Sequence, residues 1–283
     1  MYPKYRSHLN TGNSKPKLET LISKNTLIFL NISANMLEHT FIHLPDIGPV
    51  RERALWEEGV KTWDDFIARF SSSETHKHYC KMITNSKYAL KLSDANHFAY
   101  VLPSGETWRA FPHFKRVAYV DIETTGLSAT SNDLTVVGLY DGEKVHSYIA
   151  GKNIEDFRKH VEKFDMVVTF NGAQFDLPFL RKNMRGIRLP ALHVDLRFTL
   201  ASLDMTGGLK KIEERFGFER EDDLKGLDGY DAVKLWQKYI RRNDTRALDK
   251  LVRYNAADIS NLKHLMEWVY KEKRKRTGFD GTP

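Results

Sequence analysis

The chain has 283 residues, of which 41% are hydrophobic, and its formal net charge is +7. This apolar fraction suits an ordinary globular core and excludes a wholly disordered or collagen-like chain. The single cysteine, Cys80, excludes an intrachain disulfide and a cluster of thiolate metal ligands, and it fits a reducing compartment. The mild basic excess is compatible with a polyanionic partner but is not specific for one.

The sequence offers no segment that suits a membrane. The longest apolar run, over residues 26–32, is far shorter than the roughly 20 residues that a membrane-spanning helix needs. The polar N-terminus lacks the apolar core of a signal peptide. We therefore expect a soluble, cytoplasmic protein with no membrane partner.

The first third of the chain differs in composition from the rest. Residues 1–35 are rich in Lys, Asn, Ser and Thr and predict a weakly ordered lead-in, with a short strand over 26–30. Residues 36–97 predict a small, mainly helical region. Residues 98–114 contain two prolines and a glycine and predict a connector.

A proline-rich turn over residues 45–49 precedes a predicted helix over 50–58. Thr62 and Asp65 then form a capping-box pattern, which predicts the start of another helix. The turn resembles the hairpin of a helix-hairpin-helix element, whose backbone N–H groups can hold a phosphate. Because Asp46 at the turn would oppose phosphate binding, contact with DNA and a plain structural turn both remain open.

A new pattern begins near residue 115. Short apolar runs alternate with helical segments, and this succession predicts an α/β domain over 115–270 with a mixed sheet flanked by helices. Residues 271–283 predict a basic tail, either solvated or in non-specific contact with phosphates. The predicted strands cover 117–123, 134–140, 144–150, 166–170 and 193–198, and the predicted helices cover 154–163, 175–184 and 208–273, the last with breaks at Gly217 and at 226–229.

Two acidic residues stand at the end of the first predicted strand. Asp121 and Glu123 are two positions apart, so their side chains point to the same face. The carboxyl ends of strands are where open α/β sheets bind ligands. Two carboxylates this close repel each other unless they share a proton or a cation. Taken alone, the pair could equally cap the loop that follows the strand.

Two further segments carry acids at positions that a sheet-based site would use. Asp176 lies in the first turn of a predicted helix, where the helix dipole alone would favour it. Tyr254 and Asp258 are four apart and share one helix face, as they would in an ordinary amphipathic helix. Together, four carboxylates without a cysteine cluster favour Mg²⁺ or Mn²⁺. Four carboxylates can hold two such ions, which activate a water and stabilise the leaving oxygen of a phosphodiester.

The three segments, in this order, are Asp-Ile-Glu-Thr-Thr-Gly, Asn-x-x-x-Phe-Asp and Tyr-x-x-x-Asp. They resemble the three motifs of the DEDD superfamily of 3′→5′ exonucleases. The similarity covers about residues 98–270 and is strongest to YprB-like ribonuclease H-like proteins; the proofreading domains of family B DNA polymerases are more distant. It implies a ribonuclease H-like fold with a mixed five-stranded sheet. It also implies a two-metal 3′→5′ exonuclease, using Mg²⁺ or Mn²⁺ at the 3′ end of a nucleic acid.

The resemblance assigns the metal ligands to Asp121, Glu123, Asp176 and Asp258. One subgroup of the superfamily has a histidine five positions before the last acid, where this chain has Arg253. The other has a tyrosine four positions before it, where this chain has Tyr254. The tyrosine subgroup is therefore implied. Because a tyrosine with its ordinary pKa of about 10 is a poor base near neutral pH, we expect it to orient the attacking water.

The resemblance and a basic pair further along the chain also suggest substrate contacts. The basic pair follows two glycines at a predicted helix start, and a solvated role for it is about equally open. Ordinary turn and packing roles are about equally open for the other candidates. The candidate contact residues are Thr124, Gly126, Leu127, Asn171, Phe175, Lys210 and Lys211.

We expect the substrate to be single-stranded, with DNA slightly favoured over RNA. Two other functions remain open on the sequence alone. The first is an endonuclease on the same fold, against which the tyrosine argues. The second is a nucleic-acid-binding scaffold with an inactive nuclease site, against which the full set of acids argues.

Overall fold

The structure is a computed structural model, and it describes residues 36–279. The predicted lead-in over 1–35, with its strand at 26–30, lies outside the described residues, as do residues 280–283. None of the described helices combines the length and the apolar character that a membrane crossing requires.

The centre of the fold is one mixed sheet, as predicted. Its strands are β1 (Val117–Thr124), β2 (Leu134–Tyr140), β3 (Val145–Ile149), β4 (Met166–Thr169) and β5 (Leu192–Asp195). Their order is β3-β2-β1-β4-β5. The pairs β1–β2 and β2–β3 are antiparallel, whereas β1–β4 and β4–β5 are parallel. The carboxyl ends of β1, β4 and β5 therefore meet at one edge of the sheet.

Both faces of the central strand are covered. In β1, Val117 and Tyr119 belong to one hydrophobic core, while Ala118 and Val120 belong to another on the opposite face. A strand that is buried on both sides has an almost continuous apolar sequence. This explains why the run before Asp121 was readily predicted as a strand.

Ten α-helices surround the sheet among the described residues. The longest, of 33 residues, crosses one face of the sheet and contacts β1, β2, β3 and β4. The helices are α1 (Pro49–Glu57), α2 (Trp63–Phe70), α3 (Lys77–Lys91), α4 (Ala95–Val101), α5 (Asp156–Val161), α6 (Asp176–Asn183), α7 (Leu196–Ala201), α8 (Leu209–Phe216), α9 (Gly229–Arg242) and α10 (Thr245–Thr277), with 3₁₀ helices at Met36–His39 and Ser104–Ala110.

Several helix boundaries follow local signals. The predicted capping box at the start of α2 is present, with Thr62 accepting from the Asp65 N–H and Asp65 accepting from the Thr62 N–H. The predicted break at Gly217 is also present, where this glycine ends α8 in the left-handed conformation. A second left-handed residue, Asn243, ends α9, and Asp244 caps α10. The predicted continuous helix after 229 is therefore wrong at this point.

The last predicted strand, over 193–198, is wrong in its second half. The chain leaves the sheet at Asp195 and enters α7 at Leu196. The cause is local, because the Asp195 carboxylate accepts a hydrogen bond from the Arg197 N–H at 3.0 Å and so caps the new helix.

The described part of the predicted basic tail is helical, and its separation from the α/β domain stays a prediction. Residues 271–277 are the last turns of α10. Arg276 holds this end in place, since its guanidinium pairs with Asp204 at 3.1 Å and with Glu272 at 3.2 Å.

The region before the sheet packs into the same core as one face of the sheet. Trp56, Trp63 and Trp108 share a hydrophobic cluster with Tyr119 of β1. Within the predicted connector at 98–114, Arg109 is almost completely buried and pairs with buried Glu52 at 3.0 Å. The connector is therefore a packed segment, and the division of the chain there stays a prediction.

The predicted helix-hairpin-helix element also stays a prediction. Among the described residues, only the four-residue 3₁₀ helix Met36–His39 precedes the turn. Asp46 occupies the left-handed region within this turn, with φ of 60°.

Candidate active site

Strand β1 and helix α10 bring three of the predicted acids together. Asp121 and Glu123 project from the same face of β1, and Asp258 projects from the side of α10 that packs on the sheet. One carboxylate oxygen from each of the three lies within 4.8 Å of the others. Glu123 and Asp258 are each only 7% exposed. The three carboxylates therefore form a compact, largely buried acidic cluster.

Asp176 supplies a fourth negative charge from another element. It is the first residue of α6, after a sharp turn in which Asn171 has a φ of 67°. Gly172 is required in this turn, because a Cβ there would lie 2.2 Å from the Thr169 Oγ1. The Asp176 side chain is buried, and its Oδ1 has no hydrogen-bond partner among the described residues. This oxygen is free to accept a ligand.

The four carboxylates repel one another in a poorly hydrated space. Burial and then the Asp176 charge raise the pKa of Asp121, and burial and then the Asp258 charge raise that of Glu123. Burial raises the pKa of Asp176 to about 7. Burial raises the pKa of Asp258 to about 6, and the nearby Arg220 guanidinium opposes this increase. A cluster with these properties gains free energy when cations compensate its charge.

The donor set fits Mg²⁺ or Mn²⁺. Every candidate ligand atom is a hard carboxylate oxygen, and this type of donor suits both ions. The orphaned Asp176 Oδ1 and the three convergent oxygens are the features that a bound cation would satisfy. The residues that would hold it are Asp121, Glu123, Asp176 and Asp258.

Tyr254 lies beside the acids on α10. It is 5% exposed, and burial, followed by the Asp258 charge, raises the pKa of its hydroxyl. The Lys210 ammonium lies 5.1 Å from the centre of its ring. Lys210 also lowers the pKa of Glu123 and Asp258, although other causes dominate. Lys211 is exposed, and none of its described contacts reaches the carboxylates.

Arg220 is a residue of the site that no sequence motif indicated. This residue forms ion pairs with both Glu213 and Asp258, and all three side chains are at least nine-tenths buried. Glu213 also accepts a hydrogen bond of 2.9 Å from the Asn261 amide. The Arg220 guanidinium lies 5.6 Å from the centre of the Tyr254 ring. Arg220 thus joins a buried polar network to one candidate metal ligand.

One signal could have revealed this network. Glu213 follows Ile212 on the inward face of α8, and both are buried. An acid on the apolar side of a helix is almost never fully buried unless it is paired. The position of Glu213 therefore implied that a basic side chain elsewhere in the chain is buried beside it, although it could not identify this side chain as Arg220.

Asn255 is a second residue of the site that no sequence motif indicated. Its amide donates to Asp121 Oδ2 at 2.9 Å and so fixes this carboxylate. Asn255 is completely buried, and a Cβ on Gly138 would lie 2.0 Å from its Oδ1. A glycine inside a strand often marks such a close approach, and Gly138 in β2 was therefore an available signal.

The residues after the first motif lie at the end of β1. The Thr124 Oγ1 donates to the Gly126 carbonyl at 2.6 Å, and this bond shapes the turn. A Cβ on Gly126 would lie 2.7 Å from the Asn132 side chain. Leu127 is 88% exposed, so it is available for contact from solvent.

The two predicted contacts of the second motif have clear structural partners. The Asn171 N–H donates to Asp195 Oδ1 at 2.8 Å, and the Asn171 Oδ1 accepts from Arg197 at 2.6 Å. The Phe175 ring lies 4.8 Å from the Phe179 ring and packs against the second core. Both residues therefore stabilise the β4–α6 turn, and substrate contact by them stays a prediction.

Some solved structures resemble the chain at low sequence identity. The family B DNA polymerase from the archaeon Pyrobaculum calidifontis has a TM-score of 0.44 and 17% identity, over 54% of this chain and 24% of the polymerase. NrnC from Brucella melitensis has a TM-score of 0.41 and 19% identity, over 58% of this chain and 76% of NrnC. This chain therefore spans about a quarter of the polymerase. No curated protein sequence matches it.

The sequence pattern of one protein family matches residues 118–270. This match covers more than half of the chain, and it contains β2 to β5 and nearly all of β1. It also contains the four acids and Tyr254. The pattern is that of the RNase H superfamily, and the chain belongs to this superfamily.

Proposed function

We propose that the protein is a metal-dependent 3′→5′ exonuclease of the tyrosine subgroup of the DEDD exonucleases. The substrate is the 3′ end of a single-stranded nucleic acid, with DNA slightly favoured over RNA. The observation that carries the proposal is the convergence of Asp121, Glu123 and Asp258 within 4.8 Å. Buried carboxylates at this density are costly without cations, which supports a metal-dependent reaction.

The acids and Tyr254 have distinct roles in this proposal. The four carboxylates hold two divalent cations, Mg²⁺ or Mn²⁺, which when bound supply water activation and charge compensation at the leaving oxygen. Tyr254 orients the attacking water by its hydroxyl. A general base works best when its pKa is near the working pH, and the raised pKa of Tyr254 makes it unsuitable as one.

The neighbours of Tyr254 support the tyrosine subgroup. Arg253, at the position where the other subgroup has histidine, forms ion pairs with Asp223 at 2.6 Å and Asp249 at 3.1 Å. These pairs engage its guanidinium with acids that do not belong to the acidic cluster. His264 is exposed, and its ring lies 6.0 Å from Phe218. Of Arg253, Tyr254 and His264, Tyr254 is therefore the residue that we assign beside the acids, as in the YprB-like proteins that the motifs resemble.

A labelled-strand assay tests the reaction. A single strand labelled at its 5′ end should shorten from its 3′ end when Mg²⁺ or Mn²⁺ is added, and should remain intact in EDTA. Asp121→Asn should abolish the shortening, whereas the matched variant Asp222→Asn, whose side chain is 96% exposed, should retain it. Shortening by Asp121→Asn at the rate of the unmodified protein would refute the proposal.

Two further substrates separate the alternatives. A strand with a blocked 3′ end and a circular strand should both resist the enzyme, because neither offers a free terminus. Cleavage of the circle would favour an endonuclease. Calorimetric titration with Mn²⁺ distinguishes a scaffold with an inactive site, which would bind no metal at the carboxylates.

A further inference from the structure

A cavity lies at the β5 side of the sheet, outside the acidic cluster. Its volume is about 620 Å³, within the range of about 300–1,000 Å³ that is usual for ligand pockets. Its wall combines the Ser104–Ala110 helix with β5, α7 and the last turns of α10. Ala173 of the β4–α6 turn also lines it, three positions before Asp176. The cavity and the acidic cluster therefore share one turn of the chain.

The sheet fixes how far apart the two sites are. Strands β1, β4 and β5 are parallel neighbours, so Asp121 and Asp195 both lie toward the same edge of the sheet. Two strand spacings separate them, or roughly 10 Å in total. Lys273, which also lines the cavity, follows Asp258 by fifteen residues of α10. This separation corresponds to about 22 Å along the helix axis.

Two side chains in the cavity have the chemistry of a nucleotide subsite. The ring of Phe198 lines the cavity and is 48% exposed, which leaves one surface available for stacking. The Lys273 ammonium lines the same space and donates to the Ser202 Oγ at 3.2 Å. No acid of the described residues forms an ion pair with Lys273. Burial lowers the pKa of Lys273, so an anion beside it would offset part of the cost of its charge.

The two acids in the cavity wall are already engaged. Glu106 accepts from Arg109 at 2.7 Å and from Trp108 at 3.1 Å. Asp195 accepts from the backbone N–H groups of Asn171, Ala173 and Arg197. Hydrogen bonds therefore occupy both carboxylates, although the Glu106 charge still raises the pKa of Lys273 against the larger effect of burial. Because neither acid forms an ion pair with the Lys273 ammonium, this group can pair with an anionic ligand.

We propose that this cavity binds a nucleotide of the substrate strand, several positions to the 5′ side of the one at the acidic cluster. The base stacks on Phe198 and a phosphate pairs with Lys273. This proposal rests on the nuclease function proposed above. At about 3.4 Å per stacked nucleotide, the 22 Å to Lys273 corresponds to roughly six nucleotides, fewer if the strand is extended. Long strands should therefore reach the cavity, and very short ones should not.

Binding measured against strand length tests the proposal. Fluorescence anisotropy in EDTA, which prevents hydrolysis, would compare labelled oligothymidylates of about 2 and about 12 nucleotides. Base stacking on an aromatic ring contributes strongly to the affinity for a single strand. Phe198→Ala should therefore lower the ratio of the long-strand affinity to the short-strand affinity at least about fivefold. Lys273→Gln should reduce the salt dependence of long-strand binding by about 0.7 in the logarithmic slope.

Matched variants control for general effects. Tyr88→Ala removes another exposed ring, on α3, and Lys238→Gln removes another exposed cation, on α9. Both should keep the affinity ratio and the salt slope. Phe198→Trp retains a stacking surface and should restore the ratio, whereas a misfolded protein would not be rescued. Thermal unfolding of each variant would show that the fold is intact.

Two results would overturn the proposal. The first is an unchanged ratio in Phe198→Ala, and the second is an equal loss of affinity for both strand lengths. If these results accompany normal metal-dependent shortening, only the cavity assignment fails. If the unmodified protein neither binds nor shortens any strand, the nuclease function fails and the cavity proposal fails with it.

Discussion

Replacement of Asp176 by asparagine should stabilise the metal-free protein. The pKa of this carboxyl rises from 3.8 in its ordinary state to about 7. At about 1.36 kcal/mol per pKa unit, its ionisation costs the folded state up to about 4 kcal/mol above pH 7. An asparagine amide avoids this cost but needs partners for its N–H groups, which removes about 1–2 kcal/mol of the gain. The expected net stabilisation is about 2–3 kcal/mol.

The pH dependence has a definite sign. Because the folded pKa of Asp176 is raised, the unfolded state holds fewer protons than the folded state between pH 3.8 and about 7. The metal-free protein therefore loses stability as the pH rises through this window, and Asp176→Asn lacks this loss. The difference in free energy of unfolding between Asp176→Asn and the unmodified protein should therefore be about 2–3 kcal/mol smaller at pH 5 than at pH 8.

Urea unfolding in EDTA at these two pH values would measure the effect. Asp222→Asn, at a fully exposed position, should show no comparable gain. Added Mn²⁺ should stabilise the unmodified protein more than Asp176→Asn, since a ligand that binds only the folded state adds stability. A metal-free Asp176→Asn protein that is less stable than the unmodified one at pH 8 would refute this account of the cluster.

Three further substitutions test neighbouring contacts. Tyr254→Phe should lower turnover at least about tenfold, or about 1.4 kcal/mol, and calorimetry should show nearly unchanged Mn²⁺ binding; lost metal binding would contradict an orienting role. Arg220→Gln breaks a buried ion pair and should lower the free energy of unfolding in EDTA by about 3 kcal/mol. Mn²⁺ should stabilise this variant more than it stabilises the unmodified protein. Equal stability of the two metal-free proteins in urea would contradict this. Gly138→Ala should destabilise the protein by about 1–3 kcal/mol, because its added Cβ would meet Asn255. Gly229→Ala should not, because the space around Gly229 is open. Equal effects of the two substitutions in urea unfolding would contradict the close approach of Asn255 to Gly138.

The parts of the fold that were predicted correctly depend on short-range patterns. The apolar runs of β1 and β2 are continuous because both faces of these strands are buried. The α2 cap and the end of α8 at Gly217 are local events within a few residues. By contrast, the break at Asn243 was missed, since a non-glycine residue in the left-handed conformation has only a weak sequence signal.

The same distinction applies to the candidate site. The alternation of side chains along a strand placed Asp121 and Glu123 on one face of β1, and helical spacing placed Tyr254 and Asp258 on one face of α10. The contacts of Arg220 could not be predicted in this way. It lies between α8 and α9, outside any periodic element, and its partner Asp258 is 38 positions away in the chain. Only the packed structure determines such a contact.

Helix α10 links the acidic cluster to the region that precedes the sheet. Asn255 and Asp258 hold one part of the helix at β1, while Met266 and Val269 are fully buried in the core that also contains Trp108. A fully buried side chain of this size contributes about 1.5–3 kcal/mol relative to an exposed one, and the whole stability of a domain is about 5–15 kcal/mol. Residues 36–114 therefore contribute to the core that packs around this part of α10. The match to the RNase H superfamily begins only at residue 118, yet the position of the carboxylates in this chain also depends on the packing that precedes it.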